Sequence, residues 1–330
     1  MKKKIKLNFV DFSGDFTSKN NFFLNLLNKY YDLEISNNPD ILFYSNFGYE
    51  HLKYKCKKIF YSGENNSPNY FFCDFAFSFQ DTDKKNFFLP HFVEYEYFFD
   101  FKNNPANKEI VAYQNHKKNK FCNFMASNYR AKERINFVKE LMKRKRVDCL
   151  GPVLYNMENK KNIGKCDQNG GYIDWRHEKL ETIKEYKFTI AFENEQAYNY
   201  VTEKIYQPFI AGSIPIYWGA PNINEFFNPK CFINVNDFDS YQQAIDEILK
   251  INDNEEYYRS FFEEPAILPE SKLVNLTEEK IIERIEQILL CDKKPIGKKY
   301  AAIHGVLYYI LNTKLQIIKL LKKSIKKFIR

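Results

Sequence analysis

The sequence contains no run of about 18 apolar residues, so no segment reads as a helix that crosses a bilayer. Its opening, Met1-Lys2-Lys3-Lys4-Ile5-Lys6-Leu7-Asn8-Phe9-Val10-Asp11, has basic residues but no apolar stretch long enough for a signal peptide. The seven cysteines (Cys56, Cys73, Cys122, Cys149, Cys166, Cys231 and Cys291) are odd in number and never spaced CxxC. That argues against a zinc site and against a disulfide framework, and for a reducing compartment. A cytosolic face is the expected location. The five histidines, His51, His91, His116, His177 and His304, show no ligand spacing and read as structural or surface residues. No internal repeat is visible. Acidic residues are missing from Lys293 onward, where eleven Lys and Arg give +11. The whole chain has 50 basic and 42 acidic residues, so removing the tail leaves 39 against 42, a balance of −3. A near-neutral body argues against a nucleic-acid-binding protein. The excess charge belongs to the tail.

What is present is a chain of 330 residues, enough for two domains that each bury a core. With 44% hydrophobic and 28% charged residues it is not disordered. Short apolar runs alternate with helical patterns, the sign of a parallel sheet covered by helices. The first half predicts strands over 5–10, 33–35, 41–44, 58–62 and 74–79, and a helix over 21–30. A polar stretch, 103–120, reads as an interdomain linker. Beyond it, strands are expected over 121–126, 147–150, 188–192, 214–218 and 232–235. Helices are expected over 131–143, 177–186, 202–211, 241–251 and 278–290, with a polar loop over 156–171. The architecture is two βαβ-type domains around a cleft, with ligands at the carboxyl ends of the strands. The expected boundaries are 1–117 and 118–291, followed by a tail over 292–330.

The segment Phe192-Glu193-Asn194-Glu195-Gln196-Ala197-Tyr198-Asn199-Tyr200-Val201-Thr202-Glu203-Lys204-Ile205 holds the densest cluster of chemically able residues. It runs from the carboxyl end of a strand into a helix with Thr202 as N-cap. A lysine in the first turn opposes the helix dipole, so propensity does not select it. A diphosphate at that terminus would be favoured both by the free N–H groups and by Lys204, and Glu203 could accept from sugar hydroxyls. The other reading is a solvated Glu–Lys pair. Downstream, Ala211-Gly212-Ser213-Ile214-Pro215-Ile216-Tyr217-Trp218-Gly219-Ala220-Pro221 is a glycine turn, a buried strand and a second glycine turn. Gly212 fits a helix C′ position and Gly219 a tight turn, and together they build a pocket wall.

These two blocks, spanning some thirty positions, resemble the signature of the α-1,3-fucosyltransferases, glycosyltransferase family 10. Phe60-Tyr61-Ser62-Gly63-Glu64-Asn65 is similar to the family's Tyr-Thr-Gly-Glu-Asn element. Weaker similarity runs from Phe60 to about Ile251. The first forty residues and the tail match poorly. The resemblance implies an α/β fold of two Rossmann-like domains facing across a cleft (GT-B type), with a C-terminal amphipathic helix added. It implies inverting transfer of L-fucose from GDP-fucose to a glycan acceptor containing N-acetylglucosamine. By motif position Glu64 would be the general base, and Asn194, Tyr200, Glu203 and Lys204 would contact the donor. Arg134 falls where the family has a diphosphate-binding arginine, with Arg130 as competitor. No cofactor is implied to be required; a divalent ion would at most stimulate.

Such chemistry suits these residue types. One carboxylate removes the proton of the attacking hydroxyl, and cations neutralise the departing diphosphate. Asp81-Thr82-Asp83 and Asp237-Phe238-Asp239 each spell DxD, but the resembled family does not use that motif, so no metal site is expected there. Cys149 and Cys231 read as core thiols. In the tail, Ile318, Leu321, Ile325 and Phe328 recur at spacings of three and four, with Lys319, Lys323, Lys326 and Arg330 opposite. That is the pattern of an interfacial anchor on an anionic membrane; a partner-binding helix and a solvated tail are the other readings. The sequence thus predicts a fucosyltransferase peripheral on the cytosolic face of a bacterial inner membrane. Its acceptor is expected to be N-acetyllactosamine on lipopolysaccharide or a lipid-linked glycan, giving Lewis-x-like products. The rivals are α-1,4 linkage or another acceptor, and a non-catalytic membrane-surface or nucleic-acid-binding protein using the +11 tail.

Overall fold

The computed structural model describes residues 2–13, 16–94, 118–158 and 175–328. The strands are β1 (Lys4–Val10), β2 (Asp32–Ile35), β3 (Ile41–Tyr44), β4 (Lys57–Tyr61), β5 (Phe75–Ser78), β6 (Asn86–Phe88), β7 (Lys120–Phe124), β8 (Asp148–Cys149), β9 (Tyr186–Phe192), β10 (Ile214–Trp218) and β11 (Ile233–Asn234). The helices are α1 (Phe22–Asn28), α2 (Lys132–Met142), α3 (Trp175–Ile183), α4 (Glu203–Ile210), α5 (Tyr241–Asp253), α6 (Glu255–Ser260), α7 (Glu278–Leu290), α8 (Ile296–Lys299) and α9 (Ala301–Phe328). The chain divides into two units, one of residues 1–89 with 277–330 and one of residues 90–276.

The first unit is built on a six-stranded parallel sheet in the order β2-β1-β3-β4-β5-β6. Its register runs straight across the middle, with Val10 beside Tyr44, Tyr44 beside Phe60 and Phe60 beside Ala76. Every residue of β3 is buried, as expected of the continuous apolar run of a strand covered on both faces. Asn21 caps α1 by accepting from the Leu24 N–H at 3.0 Å, and Phe23 of α1 stacks on Phe43 of β3. Helix α7 repeats apolar residues at helical spacing, so Ile281, Ile282, Ile285 and Ile288 are buried. It is fastened to this unit by Lys29 on Glu278, by the Tyr31 hydroxyl on Glu286, and by Arg284 on the Asp83 carbonyl at 2.7 Å. The start of α9 is anchored too. His304 is fully buried, meets the Phe71 carbonyl at 3.0 Å and the buried Lys58 ammonium at 3.3 Å, and edges onto the Phe71 ring.

The second unit carries a five-stranded parallel sheet in the order β11-β10-β9-β7-β8. Its core joins β7, β9 and β10 to α2 and α5 through Phe124, Phe137, Leu141, Phe188, Phe192, Ile216, Ile245 and Ile248. Ser240 caps α5 at the Gln243 N–H, and the buried Ala244, Ile245, Ile248 and Ile251 form one stripe of that helix.

The units differ from the expected boundaries, 1–117, 118–291 and 292–330. Helices α7 to α9 return to the first sheet, because their apolar faces and polar anchors pack there. Strand β6 and helix α6 were not anticipated. Both are short, and three or six residues carry too little periodicity to announce an element. Most of the 103–120 stretch, the 156–171 loop beyond 158, His116 and Cys166 lie outside the described residues. Cys149 and Cys231 are buried thiols, as expected. The helical tail extends to Phe328, but the side chains of Lys319, Lys323, Ile325, Lys326 and Phe328, and all of Arg330, lie outside the described residues. Ile318 and Leu321 are exposed.

Candidate functional site

In the second unit the strands, numbered along the chain, fall in the spatial order 2-1-3-4-5, so the direction of winding reverses between β7 and β9. In such sheets a crevice opens at the carboxyl ends of the two strands flanking the reversal. The chain leaves β7 toward α2, which carries Arg134, and leaves β9 into Glu193 and Asn194. The structure brings these together: an Arg134 Nη2 hydrogen donates to Asn194 Oδ1. Arg134 is only 3% exposed.

Thr202 is extended and caps α4, its hydroxyl oxygen accepting from the Lys204 N–H at 3.3 Å. The helix runs only eight residues and ends at Ala211, followed by Gly212 at φ 64°. That left-handed residue lets the Ser213 N–H reach the Pro208 carbonyl at 2.9 Å and sends the chain into β10. At the far end of β10, Gly219 has a different necessity. A Cβ there would sit 2.6 Å from Glu193 Cγ and 2.5 Å from the Tyr217 hydroxyl. Glycine is what lets Glu193 occupy its place.

Glu193 has no exposed surface. One carboxylate oxygen accepts from the Thr202 N–H at 2.8 Å, the Thr202 hydroxyl donates to the carboxylate at 2.8–2.9 Å, and Lys204 Nζ donates to Oε2 at 3.2 Å. Lys204 Nζ also lies 3.6 Å from Glu203. Burial would lower the Lys204 pKa, but the Glu193 and Glu203 carboxylates on either side hold it above its usual value. For Glu203 burial acts upward, yet Lys204, Lys179 and His91 overcome it and bring the carboxyl down to about 2. Lys179 of α3 is pushed down to about 8, chiefly by burial, with Glu203 opposing and Lys204 adding to the shift. Arg134, Lys179 and Lys204 line one cavity of about 20 Å³, room for roughly one water, with Asn123, Thr189 and Gln207 among the other walls. Three cations against two carboxylates leave the cluster one positive charge in excess, at the N-terminus of a helix. Such a site attracts a phosphate.

The structure therefore gathers Arg134, Asn194, Glu203 and Lys204, four of the expected donor contacts. Arg130 is exposed ahead of α2 and is not among the residues lining the cavity. Tyr200 is buried at 1% exposure and is not among the residues lining the cavity. Gly212 takes the left-handed position after α4 and Gly219 follows β10, and neither is among the residues lining the cavity. Glu64 belongs to the first unit, exposed in the turn after β4; its N–H donates to the Ser62 hydroxyl at 3.1 Å and that hydroxyl donates to its carbonyl. Of the DxD pairs, Asp83 accepts from the Lys85 and Asn86 N–H groups and Asp237 from the Asn234 amide, both turn-stabilising arrangements. Three participants escaped the sequence reading. Glu193 was part of the motif without a role, Lys179 looks like an ordinary helix charge, and His91 had been assigned no part in a site. Only the lysine in a first helical turn, opposing the dipole, hinted that a buried carboxylate must lie beside it.

Two parallel-sheet α/β units, one with a buried cluster of three cations and two carboxylates at its winding reversal, define a Rossmann-like protein. Its relatives say which kind. The profile described as glycosyltransferase family 10 (fucosyltransferase) C-term matches residues 115–293, and that of the α-(1,3)-fucosyltransferase FucT N-terminal domain matches residues 7–101. The chain belongs to glycosyltransferase family 10. It is 29% identical over 312 residues to the α-(1,3)-fucosyltransferase FucT of Helicobacter pylori, covering 82% of this chain and 62% of that protein. It is 32% identical over 184 residues to α-(1,3)-fucosyltransferase B of Drosophila melanogaster, covering 54% and 40%. The chain thus spans about three fifths or less of these relatives' lengths. A crystal structure of an α1,3-fucosyltransferase with GDP superposes with a TM-score of 0.69 at 27% identity, over 89% of this chain and 92% of that one. One with GDP-fucose gives 0.68 at 26%, with the same coverage.

Proposed function

We propose that this chain is an inverting α-1,3-fucosyltransferase that uses GDP-fucose as donor. The acceptor is the 3-hydroxyl of N-acetylglucosamine in an N-acetyllactosamine-type glycan, on lipopolysaccharide or a lipid carrier, giving a Lewis-x-like product. The observation that carries this reading is the buried cluster of Arg134, Lys204 and Lys179 with Glu193 and Glu203 at the α4 terminus, together with the GDP and GDP-fucose held by solved relatives.

In the reaction the acceptor oxygen attacks the fucose anomeric carbon from the face opposite the diphosphate, and the C–O bond to the β-phosphate breaks in the same displacement. Arg134, Lys204 and Lys179 neutralise charge as it builds on the leaving diphosphate, in a buried site where such stabilisation is strong. Glu203, held ionised by its cationic neighbours, accepts hydrogen bonds from donor hydroxyls. Glu64, whose side chain is exposed and whose backbone is held by the Ser62 hydroxyl at the carboxyl end of β4, takes the acceptor proton. The enzyme works at the cytosolic face of a bacterial inner membrane. Support for that comes from α9, whose Ile303, Val306, Ile310, Ile317 and Leu321 form an exposed apolar stripe on a helix of net positive charge. No helix among the described residues is long and apolar enough to cross a membrane.

The test is incubation with GDP-fucose and a small panel of acceptors, followed by NMR of the product. The expected product carries an α-fucose on carbon 3 of N-acetylglucosamine. A 1→4 linkage would move the acceptor assignment. GDP-fucose left intact with every acceptor overturns the proposal.

A further inference from the structure

At the opposite edge of the first unit's sheet from Glu64, where β3 and β4 begin, lies a cavity of about 490 Å³. Its walls carry Lys53, Lys55, Lys57 and Lys298, with the amides of Asn37 and Asn38. Two of these lysines are committed to the fold. Lys57 donates to the Ile288 and Leu289 carbonyls at 2.8 and 3.1 Å, capping the end of α7, and Lys53 pairs with Glu50 at 2.6 Å. Lys55 and Lys298 are exposed, and among the described residues neither has an acidic partner within 4.0 Å. Asp40 also lines the cavity, and one of its oxygens accepts from the Lys6 N–H at 2.9 Å.

The placement of these two exposed lysines on one cavity is built in. Helix α8 is pinned by the Ile296 N–H on Asp74 at 2.8 Å, and at Gly297 it presses against the neighbouring chain. A Cβ on Gly297 would lie 2.4 Å from the Tyr54 carbonyl oxygen and 3.0 Å from Lys55 Cα. Only glycine permits that approach, and the approach brings the residue after it, Lys298, to the same wall as Lys55. Like charges that line one pocket repel each other, and the acidic side chain in its wall, Asp40, already accepts from the Lys6 N–H. A concave pocket lined by lysines together with Asn37 and Asn38 is matched to a polyanion with several oxygen acceptors.

We propose that this pocket binds a phosphoryl group, carried either by an anionic lipid headgroup or by a soluble phosphorylated molecule. It is separate from the donor site and does not depend on that assignment. The volume suits a phosphate with a small substituent, and the pocket lies at the root of the basic C-terminal segment, where Lys293 and Lys294 precede α8 and Lys299 ends it.

The test compares the full chain with the double variant Lys55→Gln/Lys298→Gln. Both side chains are exposed, so the variant is expected to melt where the parent does. Inorganic pyrophosphate is titrated calorimetrically, with Lys204→Ala measured alongside to register binding at the donor cluster. Cosedimentation is run with vesicles of phosphatidylcholine alone and of phosphatidylcholine mixed with phosphatidylglycerol. Loss of two charge-assisted contacts should weaken binding about tenfold or more. A loss seen with the mixed vesicles identifies a lipid headgroup. A loss confined to pyrophosphate identifies a soluble ligand. Unchanged binding in both arms, pyrophosphate binding lost only in Lys204→Ala with vesicle binding unchanged in the double variant, or no binding of either probe by the parent overturns the proposal.

Discussion

Replacing Glu193 with alanine should cost the second unit far more than its distance from solvent-facing chemistry suggests. The side chain has no exposed surface and receives the Thr202 N–H, the Thr202 hydroxyl and Lys204 Nζ, all within 3.2 Å. Its removal leaves Lys204 with Glu203 at 3.6 Å as its remaining close carboxylate and strips the N-cap of its support. Breaking a buried ion pair from one side costs about 3–5 kcal/mol when the partner loses its counter-ion, and the longer Glu203 contact offsets only part of that loss. For a unit of residues 90–276, each kcal/mol lowers Tm by roughly 2–4 °C, so the expected drop is about 6–20 °C. Differential scanning calorimetry reads it directly. The double variant Glu193→Gln/Lys204→Met removes both charges and should recover much of the loss, giving a coupling energy in the mutant cycle. A drop in the alanine variant smaller than about 2 °C, or single and double variants that simply add, would refute the idea that Glu193 is the buried counter-ion organising the α4 terminus.

Other expectations can be checked alongside it. Glu64→Gln should keep GDP affinity and lose transfer, since an amide cannot take the acceptor proton; full turnover would remove Glu64 from the mechanism. Gly219→Ala should destabilise by about 1–3 kcal/mol, because its methyl meets Glu193 Cγ and the Tyr217 hydroxyl inside 3 Å; an unchanged melting temperature would mean the wall yields. Lys179 titrates near 8, below its unfolded value, so its proton is lost from the folded protein as pH rises through about 8. GDP affinity should therefore fall across that pH, and Lys179→Met should flatten the profile. The same depression means that the folded state binds fewer protons than the unfolded chain between about 8 and the ordinary lysine pKa. This group's unfavourable contribution is thus full below pH 8 and relieved above it. A profile with the same midpoint in the variant would assign the titration elsewhere.

Much of this was legible in the chain. Strands β1, β3, β4, β9 and β10 were readable because parallel strands covered on both faces are short unbroken apolar runs. Helix α7 was readable because isoleucines recur at helical spacing, and Gly212 because helices commonly end on a left-handed residue. The site's motif residues were legible too, since a lysine at a helix start has no local reason to be there. What escaped was set by partners far away in sequence. Nothing local distinguishes Lys179 from a solvated helix lysine, and Arg130 and Arg134 differ only in which one turns inward to Asn194.

The sequence by itself determined the class of fold, two parallel α/β units, and the two motif blocks that tie it to its family, because apolar periodicity and turn chemistry are local properties. Tertiary structure decided the rest. It sent α7 to α9 back to the first sheet and put Gly297 against Tyr54 and Lys55, and it placed Glu193 beneath Lys204 with only a glycine opposite. Those outcomes depend on long-range packing and on charge buried against charge. Neither leaves a period in the sequence, because the residues that meet lie up to some 250 positions apart.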